Sequence, residues 1–360
     1  MLLQDKKVAV IGAGPVGLTF ARLLQQEGVN VSVYERDINQ YARIKGGTLD
    51  LLKDMGQAVF EKAGLLAAYF DNARPTARRI ADIHGNVVQT LPISDNPEID
   101  RNDLRRILLE SLHPQTVIWD RKFISIEKKE GTFLLHFEND ITETADLVVG
   151  ANGIMSRLRK EMTEVPARYT GTITITGEVL DYASQCPNFK NICADDKIIA
   201  KDDRIFFLSQ PKTNGELYYY VCFRQPESWL KSHNLNLNDN QQIAAFLSSL
   251  CYEWDGAYKE LFAATSEFTL LPMYQVPLEN WHNHSHITLM GDAAHGMPPY
   301  AGVGVNTGLL DALHLAENLT NREFESIQAA IDDYERQMFA YASEAQQQTA
   351  SNEAALFPKE

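Results

Sequence analysis

Gly12, Gly14, Gly17 and Glu35 are the residues whose types and spacing most directly suggest chemistry. In the stretch VAVIGAGPVGLTFARLLQQEGVNVSVYE, Gly12 permits a tight turn, Gly14 lets backbone approach a pyrophosphate, and Gly17 lets a helix pack on the strand before it. Pro15 falls in the first helical turn, where its missing N–H costs nothing, so the N–H groups beyond it at Val16 and the positive helix end face the phosphates. Glu35 lies about 20 residues past the central glycine, where a carboxylate accepts both ribose hydroxyls and repels a 2′-phosphate. The chemistry is binding of the ADP half of FAD or NAD in preference to NADP.

Further along, Asp292 follows the strand ITLM and is placed to hold a ribityl or ribose hydroxyl. A Pro/Gly-rich loop then leads into a helix starting near Gly304, Val305 and Asn306, whose N–H groups and dipole suit an electron-rich ring. Arg101 stands at the mouth of RNDLRRILLESL, where a guanidinium reaches a phosphate or a flavin edge, or is simply solvated. His295, beside a helix start, reads as a structural hydrogen-bonder rather than a base. His282, His284 and His286 in WHNHSH have no carboxylate or cysteine close in sequence, so they read as loop histidines and no metal is expected.

These residues need elements to position them. Val8 to Ile11, the helix to Gln26, the Gly28 stop and the alternating Val29, Val31, Val33 make a βαβ unit. The polar stretch after Arg36, with Gly46, Gly47 and Asp50, is a loop in which the paired glycines either approach a flat ligand or form a surface turn. Helical spacing resumes over Met55 to Tyr69, a hairpin turns at Gly85 and Asn86, and Leu104, Ile107, Leu108 and Leu112 form the buried face of a helix. From Thr170 to Phe223 the pattern is β throughout, which reads as a second domain; Tyr218 and Tyr220 share one strand face and either line a pocket or pair across strands. Ile327 to Phe357 is one long helical pattern expected to pack across both domains.

Composition bounds the partners. With 360 residues, 44% hydrophobic and 22% charged, there is room for two domains. A net charge of -15 argues against nucleic acid or an anionic membrane. The start MLLQDKKVAVIG runs straight into a core strand without an export signal, and no apolar run has the length of a membrane span. Four cysteines without a CxxC pair fit buried thiols in a reducing cytoplasm.

With GAGPVG plus Glu35, the stretch from Asp146 to Arg159 and GDAAH in hand, the chain resembles the class A FAD monooxygenases, most closely the Tet(X)-type tetracycline-inactivating enzymes. The likeness includes VSVYERD, ARIKGGTLDL, NPEIDRNDLR, ETADLV, GDAAHGMPPYAG and DYERQMF. It implies an α/β fold: a Rossmann-like FAD domain of glutathione-reductase type (1–75, 100–165, 275–325), an inserted antiparallel-sheet substrate domain (76–99, 166–274) and a bridging C-terminal helix (326–360). It implies that Glu35, Arg36, Asp50, Arg101 and Asp292 contact FAD, that Arg43 helps receive NADPH, and that Pro299, Tyr300 and Gly302 face the substrate. The resemblance further implies a monomer using NADPH and O₂ to hydroxylate an enolic or phenolic polycyclic substrate through a C4a-hydroperoxyflavin, with tetracyclines as the named drug class. A different phenolic metabolite, or a flavin protein that sequesters its ligand, is the alternative. Departures from the family pattern are Val303 in a loop that usually reads GQG, Asn152 where many relatives carry Asp, and Thr176, Lys197, Tyr218 and Tyr220 at substrate positions that usually carry other residues. Asn352 remains as an expected substrate neighbour near the end of the chain, which stops short of the segment that closes the pocket in those enzymes.

Overall fold

In the computed structural model, which describes residues 2–42, 46–129, 131–233, 235–278, 281 and 285–358, the apolar run Val8–Ile11 is the middle strand of a five-stranded sheet. Across the sheet the order is Ile287–Leu289, Leu147–Gly150, Val8–Ile11, Val31–Tyr34 and Val117–Ile118, every pairing parallel. Parallel strands are covered on both faces, and Val8–Ile11 and Leu147–Gly150 are accordingly buried throughout. The helices Pro15–Gln26 and Gly304–Thr320 pack together at a point that requires glycine: a Cβ on Gly308 would meet Val16 Cγ2 at 2.6 Å.

A seven-stranded sheet forms the second layer system, in the order Glu267–Gln275, Arg168–Val179, Leu217–Arg224, Ile205–Pro211, Lys197–Lys201, Arg78–Ala81, Val87–Leu91. It is antiparallel except where Lys197–Lys201 runs parallel to Arg78–Ala81, a strand delivered from much earlier in the chain. The two-residue alternation of its strands sorts their faces. Phe207, Tyr219, Val221 and Phe223 join Phe189, Trp254, Tyr258 and Phe262 in one apolar core, while Phe206, Leu208, Tyr220 and Cys222 face a cleft.

Two expectations are corrected. The region 170–223 is not all β, because Tyr182–Gln185 and Pro187–Cys193 are short helices, the first capped by the Asp181 side chain and the second opened by a proline. The helical spacing of Met55 to Tyr69 is interrupted, with a π turn at Lys53–Gln57 and helices at Ala58–Lys62 and Leu66–Asn72 on either side of Gly64 (φ +72°).

The tail is one helix, Ile327–Leu356, whose Ser326 hydroxyl accepts from the Ala329 N–H. It touches both sheets: the Tyr334 hydroxyl donates to Leu289 O (2.8 Å), and Glu353 accepts from Thr172 Oγ1–H (2.5 Å). Among the described residues no helix is long and apolar enough to cross a membrane.

Candidate cofactor and substrate cleft

A cleft of about 1000 Å³ lies between the two sheets, with Gly12, Gly14 and Pro15 at one end and Phe206, Leu208 and Tyr220 at the other. At the first end Gly12 adopts φ +111°, and a Cβ there would meet Ala151 O at 2.6 Å, whereas Gly14 faces open space. Pro15 opens the helix without a side-chain cap, so the N–H groups of the first turn are left to an outside acceptor. Glu35 is buried and accepts from the N–H groups of Ala13 (2.6 Å) and Asp37 (3.1 Å), which leaves lone pairs on each oxygen for a ribose. Arg36 lines the same end. Gly17 stays out of the cleft: its missing Cβ lets the helix close on Gly12 O.

Gly291, at φ +58° and ψ -143°, turns the chain after Ile287–Leu289 so that Asp292 reaches the cleft. Asp292 is open to the cleft, but the protein packed around it raises its carboxyl above the ordinary carboxylate range, and the nearby His295 and Arg101 charges oppose that rise. The turn is held by Asp311, which accepts from Gly291 N–H (2.6 Å), from the Tyr341 hydroxyl (2.5 Å) and pairs with His295 Nε2 (2.7 Å). Burial alone would lower the His295 pKa, but the charge and hydrogen bond of Asp311 outweigh it and the net displacement is upward. His295 is wholly buried and is a structural hydrogen-bonder, as its sequence setting suggests. Gly304 and Val305 line the cleft at an uncapped helix start, as do Pro299, Tyr300, Gly302 and Val303. Asn152 also lines it, and its buried Oδ1 has no partner among the described residues. An orphaned acceptor, an open glycine cradle and two uncapped helix starts fit a bound dinucleotide.

Toward the second sheet the polar groups are mostly spent on each other. Glu98 is buried against the Lys197 ammonium, accepts from the Thr48 hydroxyl, and lies 3.4 Å from Gln210 Nε2. Asp50 lines the cleft beside them, its pKa raised by burial and by Glu98, with Lys197 and Arg78 opposing. Arg101 is half-buried and donates from Nε to Gly47 O (3.0 Å). The paired glycines make room for side chains: a Cβ on Gly46 would meet Arg101 Nε at 2.7 Å, and one on Gly47 would strike Gln210 Oε1 and the Tyr220 hydroxyl.

Several expected site residues lie elsewhere. Asn306 is fully buried and its side chain is committed, donating to Asp50 O (3.0 Å) and accepting from the N–H groups of Leu52 (2.8 Å) and Gly56 (3.2 Å); it staples the Asp50 segment to the helix rather than facing the cleft. Thr176 and Tyr218 are buried one step behind Tyr220, with the Tyr218 hydroxyl donating to Thr176 Oγ1 (2.8 Å). Tyr218 and Tyr220 pack edge to face at 5.2 Å, and only Tyr220 lines the cleft. Asn352 donates to Tyr300 O (3.0 Å) and so supports a lining residue without being one. Arg43, His282 and His284 lie outside the described residues. Sequence reading missed Arg78, Glu98, Phe206, Leu208, Gln210 and Met297 as lining residues. The alternation in IFFLSQ held the signal for Phe206, Leu208 and Gln210; nothing local marked the others.

Comparisons with known proteins give a family and a fold. Residues 5–349 match the family described as FAD binding domain. Monooxygenase asqM of Emericella nidulans is 28% identical across 98% of this chain and 96% of its own length. The 6-hydroxynicotinate 3-monooxygenase of Pseudomonas fluorescens is 26% identical across 97% of this chain and 91% of its own. The crystal structure of tetracycline destructase Tet(51) superposes with a TM-score of 0.76 at 21% identity, covering 99% of this chain and 92% of that one, a likeness of fold.

Proposed function

The chain belongs to the FAD binding domain family, and from that premise we propose that it is an FAD-dependent monooxygenase, with NADPH and O₂ as cosubstrates, that hydroxylates a carbon next to a phenol or enol oxygen of a planar substrate. The observation that carries this reading is one continuous cleft joining the glycine cradle at Gly12 and Gly14 to the apolar wall of Phe206, Leu208 and Tyr220. Bound FAD supplies the electron storage between NADPH and O₂ and the delivery of one oxygen atom. The rest is the work of this chain. The helix start at Pro15 and Val16 holds the pyrophosphate, Glu35 the adenosine ribose and Asp292 the ribityl chain, while Arg36, Asp50 and Arg101 flank the cofactor. The helix start at Gly304 and Val305 favours negative charge on the adjacent ring. Pro299, Tyr300 and Gly302, opposite the sheet, hold the substrate flat and keep water out, so that oxygen is not lost as peroxide. Arg43 assists the transient nicotinamide donor.

Within that class a smaller phenolic metabolite is favoured over a tetracycline. Thr176, Tyr218 and Lys197, the positions the resemblance assigns to drug contacts, are bonded to one another or to Glu98. A polar ligand would have to break those bonds or leave its own groups unpaired. The likeness to Tet(51) keeps tetracycline as the second reading. The test is aerobic incubation of the purified yellow protein with NADPH and either 6-hydroxynicotinate or a tetracycline, with mass spectrometry for the gain of one oxygen. An NADPH-dependent oxygenated product identifies the substrate class. Ligand-independent NADPH consumption with no product from either points to other phenols, and no consumption at all supports the sequestering reading.

A further inference from the structure

We infer that Arg78 is the receptor for an anionic substituent of the substrate, held at the mouth of the cleft while the ring lies on the apolar wall. The inference rests on the proposed monooxygenase reading and adds the substrate's charge to it.

Strand register lays the wall out in rows. Tyr220 faces Leu208, and Leu208 faces Ile199, across three neighbouring strands; all three residues line the cleft. At a strand spacing of about 4.8 Å that row is roughly 10 Å long, enough for fused rings but without a charged group. One step along the strands, Lys197 and Arg78 stand directly opposite each other on parallel strands, so two cations are neighbours at the same edge. Among the described residues Glu98 is the only carboxylate paired with either, and it is spent on Lys197, whose side chain is 12% exposed. Arg78 is exposed and lines the cleft, and its side chain has no hydrogen bond or ion pair among the described residues.

The other charges in reach do not cancel it. Asp50 is near enough for Arg78 to act on its charge, but its own burial disfavours ionisation, and Arg101 adds a third cation bound to Gly47 O. Asp292 is the carboxylate within reach of Arg101, and its own pKa, like that of Asp50, is raised, so of the carboxylates facing these three cations only Glu98 is held in an ion pair among the described residues. Ser94 and Asn96 also line the cleft and add hydrogen-bonding groups. A guanidinium with its fork unspent in such a cleft selects a planar oxyanion, a carboxylate above all. A neutral ring would leave this corner uncompensated.

The same chemistry would also suit a phosphate of the nicotinamide donor, and the experiment separates the two sources. FAD-loaded wild type, Arg78→Gln and Arg78→Lys are titrated with 6-hydroxynicotinate and with 2-hydroxypyridine, the same ring without its carboxylate, following the flavin spectrum. In parallel, anaerobic flavin reduction is measured against NADPH concentration. Wild type should prefer the carboxylated ring by about tenfold or more, the worth of one charge-assisted hydrogen bond. Arg78→Gln should erase that preference by weakening the carboxylated ring alone, and Arg78→Lys should restore part of it. The inference is overturned if wild type shows no preference, including by binding neither ring. It is equally overturned if Arg78→Gln leaves the preference intact and instead raises the NADPH concentration for half-maximal reduction. Because wild-type reduction by NADPH is read in the same series, a flavoenzyme lacking this subsite is distinguishable from a protein that is not an NADPH-dependent flavoenzyme at all.

Discussion

Glu335 hangs from the C-terminal helix beneath Ile287–Leu289, where its Oε1 accepts from Trp281 Nε1–H (2.8 Å) and Thr288 Oγ1–H (2.6 Å). Burial dominates its titration and, with help from Asp332 and against the two hydrogen bonds, pushes the pKa up from 4.5 to about 7. The folded state therefore holds this proton more tightly than the unfolded chain does. Its contribution is fully present below about pH 4.5, is lost as pH rises to about 7, and is level above that. The loss is the gap between 4.5 and about 7 at about 1.4 kcal/mol per pH unit, or ~3 kcal/mol. Glu335→Gln keeps the size and the accepting oxygen but removes the titration. Urea unfolding of wild type and variant side by side, from about pH 5 to about pH 8, cancels every other titrating group, so the stability difference should move in favour of Gln by ~2 to 3 kcal/mol and then stop. A difference that stays flat across that range, or moves toward Glu, would refute the argument that a buried carboxyl under this strand is held protonated.

Three further outcomes are expected. Asp292→Ala should purify largely without FAD, and a variant carrying full yellow stoichiometry contradicts the role proposed for that carboxylate. Asn306→Ala strips three hydrogen bonds from the Asp50 to Gly56 segment and leaves the Gly56 N–H buried, at a cost on the order of 2 to 4 kcal/mol, seen as a lower unfolding midpoint and faster proteolysis near Lys53. Arg43→Ala should slow anaerobic reduction by NADPH while FAD stays bound; an unaltered reduction rate removes Arg43 from the donor's path.

The dinucleotide cradle was legible because all of it is local. Val8 to Glu35 is one βαβ unit, and the turn, the close approach and the acid at the strand end are each specified by residue type within that unit. Two-residue alternation likewise told which side chains of Leu217–Arg224 share a face, and Asp292 and the helix start at Gly304 were marked by the loop chemistry around them. What periodicity cannot carry is the choice of partner. Lys197 meets Glu98 from 99 residues away, Asn306 meets Leu52 from 254, and Tyr218 meets Thr176 from 42, and each of these pairs commits the polar group of a residue that sequence alone would assign to a ligand, although Lys197 still lines the cleft. Arg78 shows the converse: an unremarkable arginine near a hairpin becomes a cleft cation because parallel pairing sets it beside Lys197, whose carboxylate is already taken. Face and turn are encoded in neighbouring residues, whereas satisfaction of a buried polar group depends on sheet order and register, which exist only once distant segments have packed.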